Sequence, residues 1–469
     1  MKNLTYSLKD SRNGALWTSF HVVLGILSTI SPFVVVLWFY CFFIYQLINI
    51  IRSGGNQTPL NIAELLIYSS AYELLSRMAD SSPFIPYELG KYTIFFLCSL
   101  GFLFSKNTSS SKWIGILILI LIMPSFFIDL SGSVTFQDLR YNLLGLINVG
   151  LVIIFFSSLD INSSTFFKWI RLMIYPAISV LAFAIFKTPD YDELEFSLGA
   201  NFDTTGGFGS NQVSTVLGFG AFLMVVALIL RKRISGFIII DYLLLAAFVI
   251  QGLLTFSRGG MLVAALALIA FFYYVLKLNT VEKASYKIPN LGKYFLPLIV
   301  LLTVLAIIAN TLTGGLLLLR YQGETAGTIS GSKEVDLNHF TTNRYDIFLS
   351  DIDLWLEYPM FGVGAAASPF LRKFHKGQSP HTEMSRILAE HGSLGILIIL
   401  LLAYLIYYKS RNSSNYLIQA MIISLFIISI LTSFHAATRT FISPLLIGII
   451  CVNIFIPAKE NDEKLESSL

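Results

Sequence analysis

Charge is scarce in this 469-residue chain, because only 13% of its residues are charged whereas 55% are hydrophobic. Soluble domains carry about 25% charged residues. The mean hydropathy of +0.72 and the apolar blocks of about 20 residues, the length of a bilayer-spanning helix, predict an all-α polytopic membrane protein. The net charge of +4 comes from Lys and Arg at block ends, so we expect no nucleic-acid partner.

Motifs for cofactor and metal chemistry are also missing. The sequence has no glycine-rich phosphate loop with a lysine, no HExxH, no CxxC and no G-x-S-x-G. Cys41, Cys98 and Cys451 fall inside apolar blocks without metal or disulfide spacing, and we predict that they are small core residues. We therefore expect no cofactor and no metal. If the chain is an enzyme, its activated substrate has to arrive within the membrane.

Twelve to fourteen transmembrane helices are predicted from the apolar blocks. The run 16–51 is broken at Ser31-Pro32 and is interpreted as two helices. Residues 61–77 contain Glu64, Glu73 and Arg77, so this helix is expected to face the protein interior or to lie at the membrane interface. The remaining predicted spans lie at about 91–105, 113–128, 139–158, 168–187, 211–230, 235–255, 259–276, 294–315, 393–408, 416–432 and 441–457.

Basic loops predict the orientation, because Lys and Arg are enriched on the cytoplasmic side of membrane proteins. Arg231-Lys232-Arg233, the lysines between 277 and 293, and Lys409 with Arg411 fit one cytoplasmic face. With fourteen spans, both termini are then cytoplasmic. The opposite, periplasmic face receives residues 188–210, the Ser257-Arg258 turn, residues 320–392 and residues 433–440.

This topology divides the chain into five parts. They are N-terminal transmembrane helices (1–200), central transmembrane helices (201–319), a large extracytoplasmic loop that contains helices (320–392), C-terminal transmembrane helices (393–457) and a cytoplasmic tail (458–469). The tail is charged and is expected to be disordered.

Arg258 is the first candidate for chemistry. It precedes Gly259 and Gly260 at the predicted outer end of a span, which is the wrong side for a cytoplasmic anchor. A snorkelling arginine at headgroup level is the structural alternative. Because glycines permit close approach of backbone or ligand and a guanidinium suits bidentate phosphate binding, we favour an anion-binding role.

The stretch from Arg344 to Gly395 forms the central part of the only long polar segment in the otherwise apolar sequence. Its first part is predicted to be an amphipathic helix outside or on the membrane. This helix should end at Tyr358-Pro359, because the residue before a proline disfavours helix. Most of its acidic residues are expected on a solvated face, and Arg344 at its start is a second candidate for phosphate binding.

The last part of the same stretch is predicted to run as one helix from Glu383 into the following span. His381 then lies near a helix N-terminus at the outer surface, where the dipole favours anions and lowers the pKa of a histidine. A neutral imidazole at that place accepts a proton from a hydroxyl. His381 is therefore the predicted catalytic histidine, and His375 is interpreted as a bystander.

Five further residues are candidates for substrate binding. Arg320 competes for the role of second phosphate-binding arginine, and Glu390 stands at the entry to the next span. His435 and Arg439 are four residues apart, a spacing that places two side chains on one helix face. Asn211 marks the start of a span, either as a helix cap or as polar lining.

These features together resemble the O-antigen ligase family, whose superfamily also includes O-antigen polymerases and protein O-oligosaccharyltransferases. The resemblance rests on the arginine before Gly259-Gly260, the large late outer loop, and His381-Thr382 followed by Gly392 and Gly395. It covers about residues 200–450. The family usually has Asn, Ser or Gln after this histidine, whereas this chain has threonine, which also forms hydrogen bonds.

The resemblance implies a GT-C-like helical fold and a metal-independent glycosyltransferase of the bacterial plasma (inner) membrane. The enzyme would move a glycan from an undecaprenyl-pyrophosphate-linked donor to a hydroxyl of a glycan, lipid or protein acceptor on the outer face. In this scheme Arg258 and Arg344 bind and stabilise the leaving pyrophosphate. His381 orients or deprotonates the acceptor hydroxyl.

Four functions remain open at this stage. They are a ligase that acts on a lipid-A-core-like acceptor, a polymerase that adds repeat units, a transferase to protein hydroxyls, and a non-enzymatic polysaccharide transporter or flippase. A transporter more often has broken midplane helices and buried charge near the bilayer centre. Because the charges here concentrate on one predicted outer face, the enzyme is favoured.

Overall fold

Helices make up almost all of the regular structure in the computed structural model, which describes residues 2–104, 109–190, 194–286, 288, 291–332, 337–341, 344–377, 382–413, 415–436 and 440–455. The helices of the N-terminal half are α1 (Lys2–Ser28), α2 (Pro32–Arg52), α3 (Gln57–Met78), α4 (Leu89–Phe104), α5 (Lys112–Ile122), α6 (Phe136–Phe156), α7 (Ser163–Lys187), α8 (Ser210–Ile229), α9 (Ile238–Leu254) and α10 (Arg258–Leu276). Those of the C-terminal half are α11 (Thr280–Ser285), α12 (Leu291–Leu312), α13 (Leu316–Gln322), α14 (Ala326–Ile329), α15 (Leu337–Thr341), α16 (Arg344–Glu357), α17 (Ser368–Leu371), α18 (Glu383–His391), α19 (Ser393–Arg411), α20 (Tyr416–Thr432) and α21 (Ile442–Cys451). Two three-residue strands, β1 (Asp160–Asn162) and β2 (Asn453–Phe455), pair in parallel.

The chain is an all-α polytopic membrane protein, as predicted. Among the described residues, seven helices are long and apolar enough to cross a bilayer, and five shorter apolar helices accompany them. A helix lies at each of the predicted spans. The seven long segments are Pro32–Arg52, Phe136–Phe156, Ser163–Lys187, Ser210–Ile229, Arg258–Leu276, Phe295–Leu312 and Ser393–Arg411. The orientation of the termini stays a prediction.

Three sequence expectations about local structure are wrong. The last span, predicted at 441–457, is a ten-residue helix that ends because the chain turns extended at Val452 and then pairs with β1. The predicted continuous helix from Glu383 into the membrane breaks at Gly392 (φ +60°), which separates α18 from α19. Of the three cysteines, Cys98 and Cys451 are buried, but Cys41 is exposed.

Helix α3 is buried along almost its whole length. It therefore faces the protein interior and does not lie at the membrane interface, the other placement predicted for it. Its charged residues Glu64, Glu73 and Arg77 are only 5%, 2% and 8% exposed. Each needs a partner, because an unpaired charge in an apolar interior is costly. Arg77 donates to the Glu73 carboxylate at 2.7 Å and to the Gln212 amide oxygen of α8 at 2.7 Å. These bonds fix the end of α3 against the start of α8.

Close backbone contact between α8 and α10 positions the start of α10. The two helices approach at Gly218 and Gly260, and a Cβ added at Gly218 would lie 2.5 Å from the Gly260 carbonyl oxygen. Lipid tails are as apolar as side chains, so small residues that permit dense packing drive helix association in membranes. The Gly260 hydrogen therefore faces the α8 backbone at Ser214.

Replacing Gly260 with alanine should destabilise the protein, since its Cβ would overlap the Ser214 carbonyl, a backbone group that cannot move aside easily. We expect a loss of about 1–3 kcal/mol from overpacking, against the roughly 1 kcal/mol that alanine gains over glycine in a helix. Thermal unfolding of the detergent-purified protein measures the effect. Gly54→Ala is the matched control, because an added Cβ there meets nothing within 4 Å. Equal melting temperatures for the two variants would contradict the packing argument.

Candidate functional site

Three arginines from three separate segments come together at one end of the bundle. Arg258 is the first residue of α10, Arg320 lies in α13, and Arg344 is the first residue of α16. The charges of Arg258 and Arg344 both act on the Arg320 guanidinium. Arg320 is buried at 7% exposure, and the other two are half-buried. The cluster therefore combines arginines separated by at least 24 residues in the chain.

A reciprocal pair of hydrogen bonds joins α13 to the turn before α10. The Arg258 Nη1 donates to the Arg320 carbonyl oxygen at 3.0 Å, and the Arg320 Nε donates to the Phe256 carbonyl oxygen at 3.5 Å. Phe256 is fully buried with φ +54°, a left-handed conformation that is rare for a bulky residue. Its ring stacks on Phe196 at 5.6 Å. The turn before Arg258 is thus held by hydrogen bonds to α13 and by stacking on Phe196.

The cluster concentrates positive charge in a partly buried place. Burial, followed by repulsion from Arg258 and Arg344, lowers the pKa of Arg320 to about 10, so it remains a cation at neutral pH. Burial raises the pKa of the Tyr321 phenol to about 12, with the charge of Arg258 opposing the rise. The buried Tyr321 hydroxyl has no hydrogen-bond partner among the described residues. It therefore remains a neutral donor close to three cations.

His435 lies beside this cluster in the turn after α20. Its ring packs on Gly259, where an added Cβ would lie 2.6 Å from the ring. The His435 Nε2 is 2.8 Å from the Thr215 hydroxyl, and its Nδ1 is 3.2 Å from the Leu431 carbonyl oxygen. Burial, and then the charge of Arg344, lowers the pKa of His435 to about 4. The imidazole is therefore neutral at pH 7, and both of its ring nitrogens face protein groups.

A small cavity of about 180 Å³ separates His435 from the start of α8. Asn211 lines it, and the Asn211 side-chain oxygen accepts a hydrogen bond from the Ser257 hydroxyl at 2.7 Å. Gln212, the neighbouring lining residue, accepts from Arg77. The cavity is therefore walled by polar groups that the α3, α8 and α10 helices hold in place.

Three buried ion pairs, formed by two arginines, anchor α16 and α18, the helices of the large loop. Arg386 pairs with Glu383 and, at 3.2 Å, with Glu390 on the same helix, and it donates to the Asn142 side chain of α6 at 3.1 Å. Asp351 of α16 pairs with Arg372 at 2.6 Å and accepts from the Ser385 hydroxyl of α18 at 2.7 Å. The helix that begins with Arg344 is thereby tied to α18 and so to the membrane bundle.

The predicted catalytic histidine, His381, and the candidate Arg439 lie outside the described residues. The residues next to His381 are described, and they approach the cluster. The Glu383 backbone N–H donates to the Ser433 carbonyl oxygen at 2.9 Å. The start of α18 therefore lies against the turn that carries His435.

Several interpretations of individual residues are corrected by these contacts. The glycines after Arg258 face the His435 ring and the α8 backbone, so protein fills the space that we expected a ligand to use. Asn211 is not the helix cap, because Gly209 occupies that position. Asp351 is fully buried in an ion pair, not solvated.

Two further corrections concern pairs of residues that the sequence pattern had linked to the substrate. We expected His435 and Arg439 to share one helix face, but His435 lies in a turn and not in a helix. The Glu390 carboxylate accepts from Ser368 at 3.0 Å and pairs with Arg386, which gives it a structural role. The sequence reasoning overlooked Tyr321 and Thr215. Tyr321 directly follows Arg320, whereas Thr215 had no signal beyond its polarity in an apolar helix.

Comparison with known proteins finds a family similarity over about a third of the chain. The family model described as O-antigen ligase matches residues 243–400, from within α9 into α19. The match confirms the resemblance inferred from the sequence, and it contains Arg258, Arg320 and Arg344. A search of curated proteins finds no match.

Replacing Asp351 with asparagine should strongly destabilise the protein, because Arg372 is fully buried and loses its carboxylate partner. Removing one partner of a buried pair typically costs about 3–5 kcal/mol. The matched control is Asp353→Asn on the same helix. Its partner Lys373 lies 3.3 Å away, and both side chains are at least half exposed, so this loss should stay below about 1 kcal/mol. Chemical unfolding in detergent compares the two variants. Similar losses for both would show that Asp351 does not anchor the loop.

Proposed function

We propose that this chain transfers a glycan from undecaprenyl pyrophosphate to an acceptor hydroxyl. The match over residues 243–400 supports a membrane enzyme of the O-antigen ligase or polymerase type. The reaction takes place at the periplasmic face of the bacterial inner membrane. The leading form is a ligase that moves a finished glycan onto a lipid-A-core-like acceptor. Arg258, Arg320 and Arg344 bind the pyrophosphate, and His381 orients or deprotonates the acceptor hydroxyl.

The convergence of the three arginines is the observation that carries this proposal. Burial, and then repulsion from the two neighbouring arginines, lowers the pKa of Arg320, so the charged form of the cluster is disfavoured when no anion is bound. Arg258 and Arg344 also begin helices, where the dipole disfavours a cation. A bound pyrophosphate reverses both penalties, since guanidinium and phosphate form strong paired hydrogen bonds. Tyr321, a neutral buried donor beside Arg258, suits the same oxygens.

The proposed step is a displacement at the anomeric carbon of the first sugar. The acceptor oxygen forms a bond to that carbon while the bond to the pyrophosphate oxygen breaks. The bonding electrons leave with the pyrophosphate, where the arginines neutralise the developing charge, and the hydroxyl proton passes to His381. Because arginines serve as the counter-charge that a cation supplies in other transferases, we propose that no metal is needed.

His381 suits the proton-transfer role better than the other histidines near the site. His435 is neutral, but its Nε2 already faces the Thr215 hydroxyl and its ring is packed on Gly259. Burial, then the charge of Arg386, lowers the pKa of His391 to about 3, and this residue is 2% exposed. Neither is placed to receive a proton from an incoming substrate. His381 precedes Thr382, the N-cap of α18, and the first residue of α18 bonds to the turn that carries His435.

A polymerase that extends the glycan by repeat units is the main alternative, because it uses the same donor and the same leaving group. Transfer to a protein hydroxyl is the next. A transporter is disfavoured, since the buried charges Glu64, Glu73 and Arg77 of α3 have partners and the unusual concentration of cations lies at one end of the bundle.

Replacing Arg258 or His381 with alanine should abolish glycan transfer while abundance and membrane insertion stay normal. The loss of one donor to a developing negative charge typically costs on the order of 10²–10³ in rate. Arg320→Ala is expected to lose a similar factor, with partial retention in Arg320→Lys, which keeps the charge but not the planar fork. Transfer in membrane vesicles with lipid-linked donor is the measurement. A chelator should leave the rate of the unmodified chain unchanged.

Matched controls separate these effects from damage to the fold. His375→Ala removes a histidine from the same loop, and Arg231→Ala removes an exposed arginine from a different loop. Both should transfer glycan at the unmodified rate. Normal transfer in the Arg258 and His381 variants, or equal loss in the controls, would refute the assigned roles.

The ligase and the polymerase are distinguished by the glycan that a deletion strain makes. Without a ligase, long lipid-linked chains accumulate and never reach the acceptor. Without a polymerase, the acceptor carries a single repeat unit. Gel sizing of the surface glycan decides between them, and we expect the ligase pattern. Restoration by the unmodified chain but not by the Arg258→Ala variant is the control that ties the pattern to this activity.

A further inference from the structure

A second polar cavity lies at the other end of the bundle, remote from the arginine cluster. It has a volume of about 630 Å³ and is enclosed by α1, α2, α3 and α7. Glu64 lines it, and along α3 this residue is about 20 Å from Arg77, at a rise of about 1.5 Å per residue. Because Arg77 contacts the start of α8, the two cavities occupy opposite ends of the same helix. Neither the proposed reaction nor the family match uses this second cavity.

The walls of the cavity change from polar at the helix ends to aromatic in its depth. The amides Gln46, Asn49 and Asn61 lie in the last two turns of α2 and the first two of α3, and they form a ladder in which Asn61 donates to the Asn49 carbonyl and Asn49 donates to Gln46. Deeper along α2 and α3, the rings of Trp38 and Tyr68 line the space and share a hydrogen bond. A polar mouth and an aromatic interior suit an amphiphile that has a hydrogen-bonding head.

Two cations and one carboxylate give the mouth its charge. Lys168 pairs with Glu64 at 2.6 Å, and the Lys168 side chain remains 58% exposed. Arg171, one turn further along α7, also lines the cavity, and its Nη2 donates to the Arg233 carbonyl oxygen at 3.0 Å. Among the lining side chains that the structure describes, cations outnumber carboxylates. The complementary head is therefore anionic.

We propose that this cavity binds an anionic phospholipid, with the phosphate near Lys168 and Arg171 and the polar head along the amide ladder. A guanidinium and an ammonium at one rim both suit a phosphate group. The upper part of the acyl chains packs on the aromatic interior, since Trp and Tyr favour the boundary between headgroups and hydrocarbon. The site is independent of glycan transfer.

Cys41 provides a reporter that requires no substitution. It lines the cavity and is exposed, whereas Cys98 and Cys451 are buried. The full chain, purified in detergent, is treated with monobromobimane, and the modification of Cys41 is followed by mass spectrometry. Dioleoylphosphatidylglycerol should slow the modification several-fold more than the same mole fraction of dioleoylphosphatidylcholine. Inorganic phosphate should not slow it. Equal rates with the two lipids, or equal protection by free phosphate, would overturn the proposal.

A pair of double variants tests the role of the two cations. Lys168→Met with Arg171→Met should weaken phosphatidylglycerol binding roughly 30-fold, at about a factor of five for each basic residue near an anionic headgroup. The control is Lys277→Met with Arg411→Met, which removes two exposed basic residues at the ends of α10 and α19. Native mass spectrometry of each protein counts the retained lipid. An equal loss in both double variants would mean general surface attraction, not a site.

Discussion

The need to pair every buried charge determines how this protein is assembled. A bilayer interior has no water to solvate an ion, so each ionic side chain inside the bundle has to find its counter-charge within the protein. Arg77 on α3 binds Glu73 and also Gln212 of α8. Arg386 on α18 binds two glutamates and reaches α6. These contacts join helices that are remote in sequence, and they are directional where apolar packing is not.

The arginine cluster brings like charges together, and local structure holds them there. The charges of Arg258 and Arg344 both act on the buried Arg320 guanidinium. The reciprocal bonds between α13 and the Phe256 turn fix two of the three segments relative to each other. Structure that enforces repulsion between like charges stores free energy that an anion would release on binding. This stored free energy is the physical basis of the pyrophosphate-binding role that we propose.

The sequence predicted the helices well because their signal is local and strong. A run of about 20 apolar residues has few alternatives in a membrane, and so a helix stands at every predicted span. Arg258 and Arg344 were recognised from their flanking glycines and helix start, although the structure shows that Gly259 and Gly260 serve packing. The reason given for Arg258 was therefore incomplete, and its role in binding stays a prediction.

What the sequence could not provide was the set of contacts between distant segments. Asp351 looks like any acidic residue of an amphipathic helix until Arg372, 21 residues later, is seen beside it. Glu383, Arg386 and Glu390 have the three- and four-residue spacings of a helical ion-pair network, but the spacing is equally typical of a solvated surface. Only burial distinguishes the two, and burial depends on the whole fold. The same holds for Thr215, which gains significance only because the chain brings His435 to it.

Helix α3 shows how one element serves both ends of the molecule. Of its 22 residues, 19 are buried, so it is packed on all sides and cannot shift without disturbing its neighbours. Polar contacts hold it near each end, with Glu64 bound to Lys168 of α7 and Arg77 bound to Gln212 of α8. A rigid helix held in this way keeps the small cavity beside His435 and the larger cavity lined by Glu64 at a fixed separation. The charges that made residues 61–77 a poor transmembrane segment are therefore the reason that this segment can organise the bundle.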